Sequence, residues 1–119
     1  MTVAKLFTRT TGTIGALLAV FALYMTSAQA EGDIMAGRKA AQKCEVCHGL
    51  DGVAVVVEAP NLSGQKETYL IKQLTSFKTG ERQNEMMSVV APTLTDKEIE
   101  DLAAYYAAVI IKVEKVPGQ

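Results

Sequence analysis

The pentapeptide Cys44-Glu45-Val46-Cys47-His48 constrains this chain more than any other feature, because it holds both cysteines and the one histidine of a 119-residue sequence. A disulfide inside it would close a tiny loop, and a bridge stabilises least when its loop is short. It would tie no two distant segments together. A chain of this size buries a small core and often depends on a covalent or metal staple. The pentapeptide is where such a staple would be fixed.

The N-terminus reduces the folded length further. Lys5 and Arg9 precede an apolar run from Ile14 to Met25, and Ser27-Ala28-Gln29-Ala30 offers an A-x-A cleavage site. That order is a secretory signal peptide. Its apolar core is about a dozen residues, short of the ~20 of a membrane-spanning helix. Residues 1–30 are therefore expected to be removed, leaving 31–119 as one exported domain, periplasmic and without membrane insertion. Losing Lys5 and Arg9 takes the formal charge from −1 to −3. No basic stripe remains, which argues against nucleic acid as a partner.

Three helices are predicted. The first spans about Asp33 to Cys47, with Asp33 as N-cap and Ile34, Ala40, Ala41 and Cys44 on one face. The second spans about Lys66 to Lys78 and ends where Gly80 can terminate it. The third opens with the capping box Thr95-Asp96-Lys97-Glu98 and carries Ile99, Leu102, Tyr105, Tyr106 and Val109 as its apolar face. Val53 to Val57 is β-like, but no second strand is available to pair with it, so it reads as an apolar loop. The fold is all-α.

Cys-x-x-Cys-His is the attachment signature of c-type haem. Two thiols one helical turn apart can each add to one vinyl group of a porphyrin, and the histidine directly after the second becomes the proximal iron ligand. Cys44 and Cys47 are then the thioether sites, and His48 the fifth ligand. A thiol–disulfide site would want a βαβ setting. Zinc would want further cysteines or histidines, and the chain has none. Copper held by Cys and Met is a third alternative.

The sixth ligand follows by elimination. His48 is the single histidine, Met1 and Met25 fall in the signal, and Met35 lies on the wrong side of the attachment point. Met86 and Met87 remain. His/Met ligation raises the reduction potential and closes the iron to small molecules. The carbonyl of Pro60, across the loop from His48, is a candidate acceptor for the second ring nitrogen, which fixes the tautomer and the basicity of a metal-bound histidine. Pro60 could equally serve only to stiffen that loop.

The ordered segments Ala36-Gly37, Cys44 to Gly49 with Asp51-Gly52, Pro60 to Gln65, Tyr69-Leu70, Gln73-Leu74, Phe77 with Gly80 and Arg82, Met86-Met87, and Leu94-Thr95-Asp96 through Tyr106 resemble the class I c-type cytochromes. The likeness is nearest to the cytochrome c-553 and cytochrome c4 group and covers nearly all of 31–119. It implies a class I cytochrome c fold, three main helices around one covalently bound haem c, with the first and last crossing at Gly37 against Tyr105 or Tyr106. It implies that the ligand methionine lies seven residues before Leu94, which selects Met87 and keeps Met86 as runner-up. It makes Tyr69, Gln73 and Arg82 candidate partners of the haem propionates. Two departures stand out: cytochrome c4 carries two such domains where this chain has one motif, and Val55-Val56-Val57 is unusually apolar for the loop after the haem.

These readings imply a periplasmic one-electron carrier rather than an enzyme. Its partners would be redox proteins, a donor dehydrogenase or cytochrome complex and an acceptor oxidase or reductase. With the propionates adding negative charge, a partner with a positive docking face is favoured. The alternative is a haem subunit of a periplasmic dehydrogenase complex. A haem-free metallochaperone or thiol oxidoreductase is the reading from another class.

Overall fold

The computed structural model describes residues 32–118, and the signal peptide expected over residues 1–30 lies outside them. Along the chain run α1 (Ile34–Ala40), a 3-10 turn (Ala41–Lys43), α2 (Glu45–His48), α3 (Glu67–Thr79), α4 (Met87–Val90), a second 3-10 turn (Ala91–Thr93) and α5 (Asp96–Ala108). Among the described residues there is no strand, and Val53 to Val57 is loop. No described helix is long and apolar enough to cross a membrane.

Local chemistry explains where the long helices start and stop. Asp33 caps α1 by accepting from the amides of Met35 at 2.8 Å and Ala36 at 3.0 Å. α3 ends at Gly80, whose φ of +81° is a left-handed conformation that glycine adopts without cost. At α5 the capping box forms in both directions. Glu98 N–H donates to Thr95 Oγ1 at 3.1 Å, and Thr95 N–H donates to Glu98 Oε2 at 2.9 Å.

α5 is the hub, packing against α1 on one side and α3 on the other. Its Ile99, Leu102, Ala103 and Tyr106 join Ala41, Leu70 and Leu94 in one buried cluster. Among the described residues, Ile99 and Leu102 are the largest fully buried side chains, so the protein core is thin. At the α1–α5 crossing the backbones nearly touch. A Cβ on Gly37 would lie 1.9 Å from the Asp101 carbonyl oxygen and 2.8 Å from Tyr105 Cβ.

The first helix differs from the sequence expectation. It is not continuous from Asp33 to Cys47 but is interrupted by the 3-10 turn, where the Cys44 amide donates to Ala41 O at 2.9 Å. The turn is tied to α5 by Lys43 Nζ, 2.9 Å from Glu98 Oε1. Ile34 is half exposed, and the buried residue of α1 is Gly37, because backbone contact rather than an apolar side chain makes that crossing.

Candidate cofactor site

α2 is a single turn that contains the second cysteine and the histidine. The Cys44 carbonyl accepts from the amides of both Cys47 (3.2 Å) and His48 (2.9 Å), which puts the two cysteines one helical turn apart. They are not joined in a disulfide, and both are half-buried. Gly49 then ends the turn with φ +71°, and a Cβ there would meet the Val53 carbonyl oxygen at 2.3 Å.

The following loop folds back beneath this turn. The amide of Val55 donates to Cys47 O at 2.9 Å, that of Ala54 to Asn61 Oδ1 at 2.7 Å, and that of Leu62 to Gly52 O at 2.7 Å. The result is that the Pro60 carbonyl oxygen lies 2.9 Å from His48 Nδ1. A carbonyl can only accept, so the ring proton sits on Nδ1 and the lone pair is left on Nε2. His48 is 8% exposed, held as one fixed tautomer in a buried position.

Two tyrosines of α5 fasten the residues just after the histidine. Tyr105 OH donates to Leu50 O at 2.8 Å and Tyr106 OH to Gly49 O at 3.3 Å. Burial pushes the Tyr106 phenol well up, so it remains a donor. The sequence reading places these tyrosines on the apolar face of the last helix and at the helix crossing, not on the loop after the histidine. Their hydroxyl contacts span 55 and 57 residues, and no local pattern signals them.

On the other side of the chain, Asn84 Oδ1 accepts from the amides of Met86 and Met87, both at 3.0 Å. Met87 opens α4 and is half-buried, whereas Met86 is 63% exposed. α4 itself is absent from the sequence expectation. Four residues followed by Pro92 carry too little periodicity to announce a helix. Gln73 and Arg82 are brought together, with Arg82 Nη1 donating to Gln73 Oε1 at 2.5 Å and the guanidinium stacked 4.5 Å above the Phe77 ring. Tyr69 is one turn before Gln73 on α3 and is half exposed.

A haem fits this set of donors. Among the described residues no group of three or more His, Cys, Asp or Glu side chains is placed to hold a metal ion. The described protein side chains thus offer no ready-made metal cage around His48, and a porphyrin would bring its own nitrogen ligands. The apolar side chains also suit such a group. Val46, Val53, Val55, Val57, Met86 and Val89 are exposed, Val57 to 98%, beside a core with few large members.

A sequence model of the cytochrome c family matches residues 34–108, the span from the first residue of α1 to the last of α5. The chain belongs to the cytochrome c family. Its cofactor is haem c with its iron, bound covalently, and Cys44, Cys47 and His48 carry the attachment spacing. A cytochrome c4 of Thiocapsa roseopersicina is 46% identical over 96 residues, covering 80% of this chain and 47% of that protein. A cytochrome c-554(548) of Halomonas halodenitrificans is 38% identical over 80 residues, covering 65% of this chain and 96% of that protein. A thiosulfate dehydrogenase electron acceptor of Stutzerimonas stutzeri is 36% identical over 70 residues, covering 56% of this chain and 32% of that protein. In three dimensions the cytochrome is similar to the crystal structure of reduced recombinant cytochrome c4 from Pseudomonas stutzeri, with TM-score 0.62, 35% identity, and coverage of 66% of this chain and 46% of that one. The chain spans about half the length of the cytochrome c4 relatives it matches.

Proposed function

We propose that this cytochrome is a periplasmic one-electron carrier whose haem iron is ligated by His48 and Met87. The observation that carries the reading is the 2.9 Å contact between His48 Nδ1 and the Pro60 carbonyl, which leaves Nε2 of the chain's single histidine as the donor for a metal. The bound haem supplies the one-electron couple of its iron. Cys44 and Cys47 fix the group covalently, and Pro60 sets the basicity of His48. Met87 serves as the thioether ligand and Met86 is the runner-up. Gln73 and Arg82, already paired, and Tyr69 beside them, supply donors for the propionates. With both axial positions filled, no vacancy is left for a substrate, and the protein acts as a carrier rather than an enzyme.

Its partners are redox proteins, a donor dehydrogenase or cytochrome complex and an acceptor oxidase or reductase. The name of the thiosulfate dehydrogenase electron acceptor relative favours a second reading, a haem subunit of a periplasmic dehydrogenase complex. Purification from the native membrane-free extract separates the two: a free monomeric haem protein supports the shuttle, and constant co-elution with a dehydrogenase supports the subunit.

The axial pair is tested by the visible spectrum of protein expressed with haem-maturation machinery. Sharp reduced α and β bands, with the weak red band of sulfur-ligated ferric haem, are expected. Met87→Ala should abolish the red band and Met86→Ala should keep it. The reverse pattern would transfer the ligand to Met86, and no haem spectrum would overturn the reading. N-terminal sequencing of the exported protein checks the cleavage site, with Glu31 expected as its first residue.

A further inference from the structure

We propose that Asn84 is the positioning residue for the sixth iron ligand, an inference that rests on the methionine ligation proposed above. Asn84 is built into the methionine turn by two side-chain contacts and one from its backbone N–H. Oδ1 accepts from the amides of Met86 and Met87 at 3.0 Å each, and the Asn84 amide in turn donates to Ser88 Oγ at 3.0 Å. The Asn84 carbonyl also accepts from the Ser88 amide at 3.0 Å. This is a reciprocal cap, side chain to amide in both directions, on a helix of only four residues.

So short a helix has no stability of its own, because the first turn fixes several dihedrals for one hydrogen bond. The rest of the segment offers little to hold it. Met86 and Val89 are exposed, and no residue of α4 is buried. The amides of Met86 and Met87 precede the first intrahelical bonds and would otherwise point to water. Asn84 therefore determines where the Met87 backbone sits, and through it where the thioether can reach. Glutamine is too long to accept from amides two and three residues on, whereas aspartate keeps the acceptor.

Losing this cap leaves the methionine free to leave the iron more often, with the Met-bound population falling about tenfold relative to the Met-free one. Imidazole reads that equilibrium directly, because it binds ferric iron only after the methionine has gone. Its apparent affinity is the intrinsic affinity multiplied by the Met-free fraction. In the holo-protein, Asn84→Ala should bind imidazole about tenfold more tightly than the wild type, and Asn84→Asp should stay within about twofold of it. Ser88→Ala, which removes only the reciprocal acceptor, should shift it about threefold, and it carries the test if Asn84→Ala fails to mature. A merely structural contribution would lower thermal stability in Asn84→Ala without moving imidazole affinity, and that result overturns the proposal. Failure of the ligation reading looks different: Met87→Ala and Met86→Ala would both leave imidazole affinity unchanged.

Discussion

Asp101 in α5 accepts the backbone N–H of Asp33 at 2.6 Å, and Asp33 in turn caps α1. One carboxylate of the last helix thus fixes the start of the first. Asp101 is 6% exposed and also pairs with Lys97 one turn before it. Its own carbonyl lies against Gly37, so the same residue makes the polar and the steric halves of the α1–α5 crossing. The cysteine pair follows directly from α1 through the 3-10 turn, which makes this crossing the frame on which the haem motif is mounted.

Replacing Asp101 with alanine should cost about 1–3 kcal/mol, since it leaves the Asp33 amide and Lys97 without their acceptor. Asp101→Asn keeps an oxygen for the amide and loses only an ion pair whose lysine is exposed, so its cost should stay below about 1 kcal/mol. Denaturant unfolding of the holo-protein followed by far-UV circular dichroism measures both. Equal losses in the two variants would mean that the ion pair, not the amide contact, holds the crossing.

Acid should attack the same frame. The capping amide and hydroxyl of Thr95, with Lys43, hold the Glu98 carboxyl at about 2 against an ordinary 4.5. The amides of Ala36 and Met35 hold Asp33 below its ordinary value too. A carboxylate with a depressed folded pKa binds more protons unfolded than folded in this window. Its stabilisation is therefore fully present above about pH 4.5 and is lost as pH falls toward 2. Melting temperature should fall over that window, and Glu98→Gln should flatten the fall while lowering stability at neutral pH. A Glu98→Gln protein with the wild-type acid slope would remove Glu98 from the account.

Glycine to alanine inside a helix ordinarily stabilises by up to about 1 kcal/mol. At Gly37 the sign should reverse. The added Cβ falls 1.9 Å from a backbone oxygen of α5, and backbone cannot turn aside as a flexible side chain can. Gly37→Ala should cost about 3 kcal/mol or more by forcing α1 off α5. Gly80→Ala is the control. A Cβ there would meet nothing within 4 Å beyond its own chain neighbours, so only the left-handed strain of φ +81°, about 1 kcal/mol, should be felt. Calorimetry on the two proteins compares them directly.

What could be read in the sequence was what is coded locally. The capping box at Thr95 and the stop at Gly80 each depend on residues within a turn of one another, and α3 and α5 form where the spacing predicts. The break at Ala41 is different. Helical periodicity continues unbroken through it, and the Lys43–Glu98 contact that ties it to α5 spans 55 residues. The tyrosine hydroxyls on Gly49 and Leu50 are equally non-local. Asn84 is the exception, a local signal that could have been found. An asparagine two residues before a methionine pair is a recognisable turn former, since its short side chain reaches amides two and three residues on.

The last prediction concerns the loop that brings Pro60 to His48. Asn61 Oδ1 accepts from Ala54 N–H at 2.7 Å and ties the valine segment to the part of the loop carrying Pro60. Asn61→Ala should cost about 1 kcal/mol, an ordinary exposed hydrogen bond. Its larger consequence should be at the iron. Under the proposed ligation, the Pro60 carbonyl, by accepting from Nδ1, would make His48 a stronger donor, and a stronger donor favours ferric over ferrous iron. Loosening the loop weakens that contact, so the reduction potential should rise. A potentiometric titration of the wild type and Asn61→Ala decides it. An unchanged potential alongside the expected loss of stability would show that the loop holds the Pro60 carbonyl in place without Asn61.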